Sequence, residues 1–271
     1  MSYNEELIIL GTGHATVTEC YNTCFVLRIP GSTLLVDGGG GNGILQQMKK
    51  AGVYLSTLTA LFVTHAHTDH LFGIVWVLRM MGEEVSGRGD FRRCIVYGHD
   101  KVLNTLKYIC KKTLTSTTWN NIQAKVIFKK VYPDQCLMVG ENLKLHFFDT
   151  KSSDEKQYGF KAYLPNGKTL VCLGDIPCHE RLFSYVKDTD WLLCEAFCRE
   201  ADKDIFHPHK LHHSTVLDAA MAAERLNVKN LILYHTEDTA LYERKDNYTE
   251  EACKVYSGGI YVPDDLETII L

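Results

Sequence analysis

His65-Ala66-His67-Thr68-Asp69-His70 follows directly on the short apolar run Ala60–Val63. Imidazole nitrogens and carboxylate oxygens are the donors that suit a borderline ion such as zinc. Four such side chains within six positions, placed after a buried strand, predict a loop that rings a metal. In extended backbone His65 and His67 point the same way, and Asp69 and His70 must turn towards a second position. A solvated polar loop with a few capping residues would not need three histidines and an aspartate at this spacing.

Two later residues occupy equivalent places. Asp175 closes LVCLGD and His235 closes LILYH, each just past an apolar strand. Alone, an aspartate after glycine is turn chemistry, and a strand-end histidine is more often a satisfied core residue. Beside the cluster, a carboxylate with two oxygens can bridge two ions, and a further imidazole can close one shell.

Outward from these motifs, period-2 runs predict strands near Leu7–Leu10, Phe25–Ile29, Thr33–Val36 and Cys94–Tyr97 in the first half. Val126–Val131, Leu143–Phe148, Tyr158–Leu164, Thr169–Leu173, Trp191–Cys194 and Leu231–Tyr234 follow, with terminal strands after them. Helices are predicted at Ile44–Ala51, Leu71–Met81, from Lys101, and at Arg181–Val186, Val216–Arg225 and Glu250–Val255. Strands in both halves with helices between them predict an α/β fold of two mixed sheets packed face to face and flanked by helices. The expectation is a single domain over residues 1–271, with Pro133-Asp134-Gln135 separating two half-folds.

Composition narrows the function. The 271 residues carry 29 basic and 33 acidic side chains and are 45% hydrophobic, which excludes disorder, collagen and coiled coil. No apolar stretch approaches a membrane span, and MSYNEEL is not a secretory leader. Ten cysteines without a leader predict reduced thiols and a cytoplasmic protein. A net charge of −4 argues against holding nucleic acid by bulk charge. Locally, seven lysines and no acid lie in 101–130; without an accompanying aromatic pattern, this predicts a solvated face rather than a polyanion dock. Gly38–Gly41 and Gly43 precede a helix but lack GxGxxG order and a P-loop lysine, a weak phosphate signal.

HxHxDH, a strand-ending Gly-Asp and a strand-ending His resemble the metallo-β-lactamase superfamily. ILGTGHATVTECYNTCFVL, LLVDGGGG, CLGDIPC, LLCEAF and HHSTVLDAAMAAERLNVKNLILYH resemble its ribonuclease Z-like branch, as does the tail EEACKVYSGGIYVPDDLETIIL. The resemblance implies a four-layer αβ/βα sandwich with its site along one edge. It implies one ion on His65 and His67, another on Asp69, His70 and His235, with Asp175 bridging and His213 as catalytic histidine. One or two divalent ions are expected, zinc first, with manganese or iron as alternatives.

Two departures stand out. The branch places a further histidine before a Gly-aromatic pair, where this chain reads LKLHFFDTKSSDEKQYGF. His146 lies inside the strand, so either Asp149, Lys151 or Ser152 takes the place, or no residue does. A three-ligand site would hold a weaker, more exchangeable ion. Secondly, only 26 positions separate Asp149 from Asp175, the interval in which ribonuclease Z enzymes carry their tRNA-gripping arm.

The implied chemistry is a metal-dependent phosphodiesterase on nucleotide-like or small phosphodiester substrates. Asp69 would orient the attacking hydroxide while ligating, and His213 would protonate the alkoxide leaving group. Nucleic acid remains open as a substrate despite the missing arm, and a homodimer is also left open. Glu195 is a candidate to orient groups behind the site. His14, Asn22, His207 and His209 are as consistent with turn and loop chemistry as with substrate contact, and Ser214-Thr215 reads as a helix cap. Two alternatives are carried: a thioester or lactone hydrolase on the same scaffold, and a metal-binding regulatory protein with weak or no turnover.

Overall fold

A computed structural model describes residues 4–84 and 93–271. The first half runs β1 (Glu6–Gly11), β2 (Cys24–Ile29), β3 (Ser32–Val36), α1 (Gly43–Lys50), β4 (Ala60–Phe62), α2 (Thr68–Glu84), β5 (Cys94–Gly98), α3 (Asp100–Thr113), α4 (Ser116–Lys125) and β6 (Val126–Lys130). The second runs β7 (Cys136–Val139), β8 (Leu143–Asp149), β9 (Tyr158–Tyr163), β10 (Thr169–Cys172), α5 (Phe183–Val186), β11 (Trp191–Glu195), α6 (Lys203–Phe206), α7 (Val216–Arg225), β12 (Asn230–Tyr234), α8 (Leu241–Ala252), β13 (Gly259–Tyr261) and β14 (Thr268–Ile270).

Two seven-stranded mixed sheets result, ordered β14-β1-β2-β3-β4-β5-β6 and β13-β12-β11-β10-β9-β8-β7. The chain crosses between sheets after β6, at the predicted Pro133 turn, and returns only with β14. Side chains alternate along the strands, so each sheet buries both faces. Leu27, Phe62, Phe147, Phe160, Leu193 and Ile232 fill the layer between the sheets. Val26, Leu35 and Leu61 face Ile44 of α1, Leu78 of α2 and Leu106 of α3, while Leu192 and Leu231 face Ala220 of α7 and Tyr248 of α8. The product is the expected αβ/βα sandwich. No helix among the described residues is long and apolar enough to cross a membrane.

Strands β3, β4, β5 and β6 run parallel, as do β10, β11, β12 and β13. In parallel α/β sheets the carboxyl ends of strands open into loops, where ligands bind. Asp37, His65, Asp175, Glu195 and His235 all stand at or just past such ends.

Three elements differ from the sequence expectation. Helix α2 begins at Thr68, so Asp69 and His70 sit in its first turn rather than in a loop. Helix α4 is capped by Thr115, whose Oγ1 accepts from Thr118 N (3.1 Å), despite the poorly helix-forming stretch TSTTWNN at 115–121. Helix α8 starts at Leu241, nine positions before the expected start, because its first turns are polar and solvated.

Candidate metal centre

The start of α2 is docked on the glycine run after β3. Gly38 N donates to His70 O and Gly73 N to Gly39 O, both 2.8 Å. A Cβ on Gly73 would fall 1.7 Å from Gly38 O, so glycine is required for this approach. The glycine cluster therefore seats the helix that carries Asp69 and His70, and its amides are not arranged as a phosphate cradle.

Asp175 Oδ2 lies 2.6 Å from His70 Nε2, 3.0 Å from His235 Nε2 and 3.8 Å from His65 Nε2. Asp69 Oδ2 lies 3.1 Å from His70 Nε2 and 3.7 Å from His235 Nε2. His67 Nδ1 is 3.0 Å from His65 Nε2. Five of these six residues are buried; His67 is exposed. All six predicted cluster residues are thus brought together, and Asp69, His70, Asp175 and His235 offer donor atoms within 4.8 Å of one another.

Around Asp175 proximity is not all hydrogen bonding. His70 Nε2, Asp175 Oδ1 and both ring nitrogens of His235 are buried without a hydrogen-bond partner. Buried polar atoms are normally paired. Donor atoms that converge on a common point instead of on each other fit a divalent cation. Burial works against charge on Asp175, but His235 and His70 hold its carboxyl well below the usual range. Burial likewise opposes a charged His70, yet Asp175, Asp69 and Asp37 push it well up. His235 rises to about 9 against burial, through Asp175 and Asp69. Burial, then His70, drives the His65 imidazole down to its neutral form.

One carboxylate behind the cluster was not singled out from sequence. Asp37 Oδ2 bonds His70 Nδ1 at 2.8 Å, and Thr64 N and Oγ1 donate to the two Asp37 oxygens, each at 2.8 Å. With Nδ1 so engaged, His70 must present Nε2 to the cluster. The available signal was LLVDGGG, a strand-ending Asp like that of LVCLGD.

A cleft of about 460 Å³ opens on the cluster. His213 lines it, with Nδ1 3.4 Å from Glu195 Oε2. Ser214 N (2.5 Å) and Oγ (2.7 Å) hold Glu195 Oε1, and Phe197 stacks on the His213 ring at 5.1 Å. Thr215 does cap α7, in a capping box with Asp218. His14 also lines the cleft, 4.5 Å from Phe197, lowered to about 4 by burial and by His235 and His213. Asn22 is a loop fastener: its Nδ2 donates to His14 O and its Oδ1 accepts from Gly40 N.

His209 and His212 line the cleft mouth, exposed and paired with Asp218 (2.8 Å) and Asp154 (3.6 Å); His207 does not line it. His146 turns away, towards Asp134 and Tyr185. Asp149 is no substitute ligand: it accepts from Lys151 N and Lys151 Nζ, outside the cleft lining. Lys151 and Ser152 reach the cleft wall. The lysine segment has aromatic partners after all, Lys107 over Phe128, Lys129 over Tyr97 and Lys130 over Tyr132, but none of its seven lysines lines the cleft. All ten cysteines are free thiols.

Residues 5–252 match the family model described as anti-Pycsar protein Apyc1. A ribonuclease Z from Pyrobaculum arsenaticum is 28% identical over 98% of this chain and 98% of its own length. The metallo-β-lactamase fold protein YhfI from Bacillus subtilis superposes with a TM-score of 0.77 at 20% identity, covering 98% of this chain and 99% of YhfI. Human tRNase Z, short form, superposes with a TM-score of 0.73 at 21% identity, covering 97% of this chain and 98% of that one. With its two flanked sheets and strand-end His/Asp cluster, the chain has the metallo-β-lactamase fold and is similar to ribonuclease Z enzymes, and it belongs to the anti-Pycsar protein Apyc1 family.

Proposed function

We propose that the chain is a phosphodiesterase acting on small or nucleotide-like phosphodiesters. The observation that carries this is the convergence of Asp69, His70, Asp175 and His235 donor atoms, those of His70, Asp175 and His235 including buried unpaired ones, beside a cleft that His213 also lines. His70, Asp69 and His235 would hold one divalent ion, His65 and His67 another, with Asp175 shared. The imidazole–carboxylate donor set favours zinc, with manganese or iron as alternatives. Bound there, such ions supply Lewis acidity and bring water to a pKa near ~7.

The chain's own residues do the rest. Asp69 lines the cleft and would orient the nucleophile. Glu195, fixed by Ser214, lies 3.4 Å from His213 Nδ1 and would hold that side of the ring, leaving Nε2 for the substrate. The leaving group of a phosphodiester is an alkoxide, and a positioned histidine can serve as the general acid that protonates it. Thioester or lactone cleavage asks less of the leaving group, so the Glu195–His213 pair favours the phosphodiester reading. The cleft volume is that of a small-molecule site. Between β8 and β10 there is only the 150–157 loop, β9 and a tight turn, so this interval carries no arm to grip a folded RNA.

The test uses two substrates. In His213→Ala with metal retained, cleavage of a dinucleotide, whose leaving group is an alkoxide, should fall ~10²–10⁴-fold. Bis(p-nitrophenyl) phosphate, whose phenolate needs no proton, should lose far less. An unchanged dinucleotide rate would remove His213 from this role.

A further inference from the structure

Gln157 is the one cleft-lining residue whose chemistry the mechanism above leaves unused while its side chain is fully buried. It is 2% exposed and shares the cleft with His65, His67 and Asp175. Its Nε2 is buried without a partner, and its carboxamide makes no hydrogen bond among the described residues. Buried polar groups are normally hydrogen-bonded and costly to leave unpaired, so such a group is expected to face a ligand.

The backbone around it, in contrast, is fully engaged. Gln157 O accepts from both N and Oγ1 of Thr150 at 3.0 Å. Tyr158 N donates to Thr64 O at 3.0 Å, which joins the start of β9 to the residue just before His65. On the other side, Gln157 Nε2 packs on Gly174, the residue just before Asp175. A Cβ at Gly174 would fall 2.0 Å from that nitrogen, and Gly174 has φ +70°, so glycine satisfies both demands. The backbone beside Gln157 is thus tied next to His65, and its carboxamide packs next to Asp175.

We infer that Gln157 supplies the donor missing from the His65–His67 corner. Its amide oxygen completes a set of two imidazoles, the Asp175 carboxylate and one carboxamide for that ion. The inference rests on the reading of the cluster as a metal centre. The two ends of a carboxamide exchange by a simple flip, and either can be turned towards the cleft. A neutral amide oxygen is a harder donor than a third imidazole. This corner therefore holds zinc less tightly than a three-histidine corner would, and accepts manganese relatively better.

The probes are zinc and manganese alone, added to the chelator-stripped full chain. Zinc stoichiometry and affinity are read by calorimetry with elemental analysis, and manganese by electron paramagnetic resonance. The wild-type chain should bind two ions with unequal affinity. Gln157→Met, similar in volume but without the oxygen, should keep the tighter ion and weaken the looser one at least about tenfold, the lower edge of the effect of losing even an outer partner. Gln157→His should tighten zinc at the looser position by a similar factor and reduce its relative preference for manganese. Retention of the tighter ion in Gln157→Met reports an intact fold, and the gain in Gln157→His does not depend on that variant. A Met variant that binds both ions as the wild type does, or a His variant with no gain, overturns the inference. A wild-type chain that takes up no divalent ion overturns the metal-centre reading itself, together with this inference.

Discussion

At the His70 corner the donors are buried and the His70 ring is tied from behind, whereas at the His65–His67 corner one ring is buried and tied and the other is open. His70 is pinned by Asp37, which is itself held by Thr64, and the helix start beneath it is seated on Gly38 and Gly39. His65 has only Thr64 Oγ1, 2.9 Å from its Nδ1. His67 is exposed, and its recorded contact is His65. The two corners share Asp175, so the difference lies in their support. A buried, pre-oriented imidazole loses little freedom on binding an ion, while an exposed one must be ordered at that moment.

Because Asp175 is common to both corners, Asp175→Ala should have the largest effect, removing both ions and taking hydrolysis to background, measured by elemental analysis and turnover. One retained ion would show that the corners are independent. Next, His70→Ala and His67→Ala should separate them. The first should abolish most of the thermal stabilisation given by added zinc, and the second little of it. A site loaded at a hundred times its Kd contributes about 2.7 kcal/mol, so the shift in Tm is readable. Smaller again, Asp37→Asn should weaken the ion at the His70 corner ~10–100-fold and leave the other corner unchanged.

A histidine away from the cluster gives the smallest effect and a control for acid sensitivity. His99 is buried at the start of α3 against Tyr158, and burial, then Lys156, lowers it to about 4. The folded chain thus keeps it neutral while the unfolded chain protonates it near 6.5. Between those values the unfolded state binds more protons, so stability falls as pH drops from 6.5 towards 4 and the contribution is flat below. At roughly half of the ~1.4 kcal/mol per unit, that is about 1–2 kcal/mol. His99→Gln should flatten this part of the pH–stability curve in chelator-stripped protein, measured by urea unfolding; an unaltered slope would assign the acid loss elsewhere.

The cluster was legible from sequence because its members follow strands whose apolar runs are unmistakable: Ala60–Val63, Leu170–Leu173 and Leu231–Tyr234. The support was not. Asp37 meets His70 across 33 positions, and only the docking of α2 on Gly38 makes the pair. The same docking starts the helix at Thr68, so Asp69 and His70 leave the loop that spacing alone suggested. Helix α4 and strand β7 were missed because their patterns are weak: Ser116–Asn121 is held by a cap, and β7 is an edge strand with exposed Cys136 and Met138. By position Asp149 is a candidate ligand, but the left-handed turn at Lys151, φ 59°, lets it close on its own loop. Gln157 was invisible as a donor, since its place depends on the Gly174 and Thr64 backbones.

The most direct measurement is hydrolysis of a dinucleotide by chain stripped with chelator, assayed for metal content and then reloaded with zinc or manganese. The account predicts that activity disappears with the ions and returns as they rebind, the tighter corner filling first. Undiminished hydrolysis by protein shown to contain no divalent metal would contradict it.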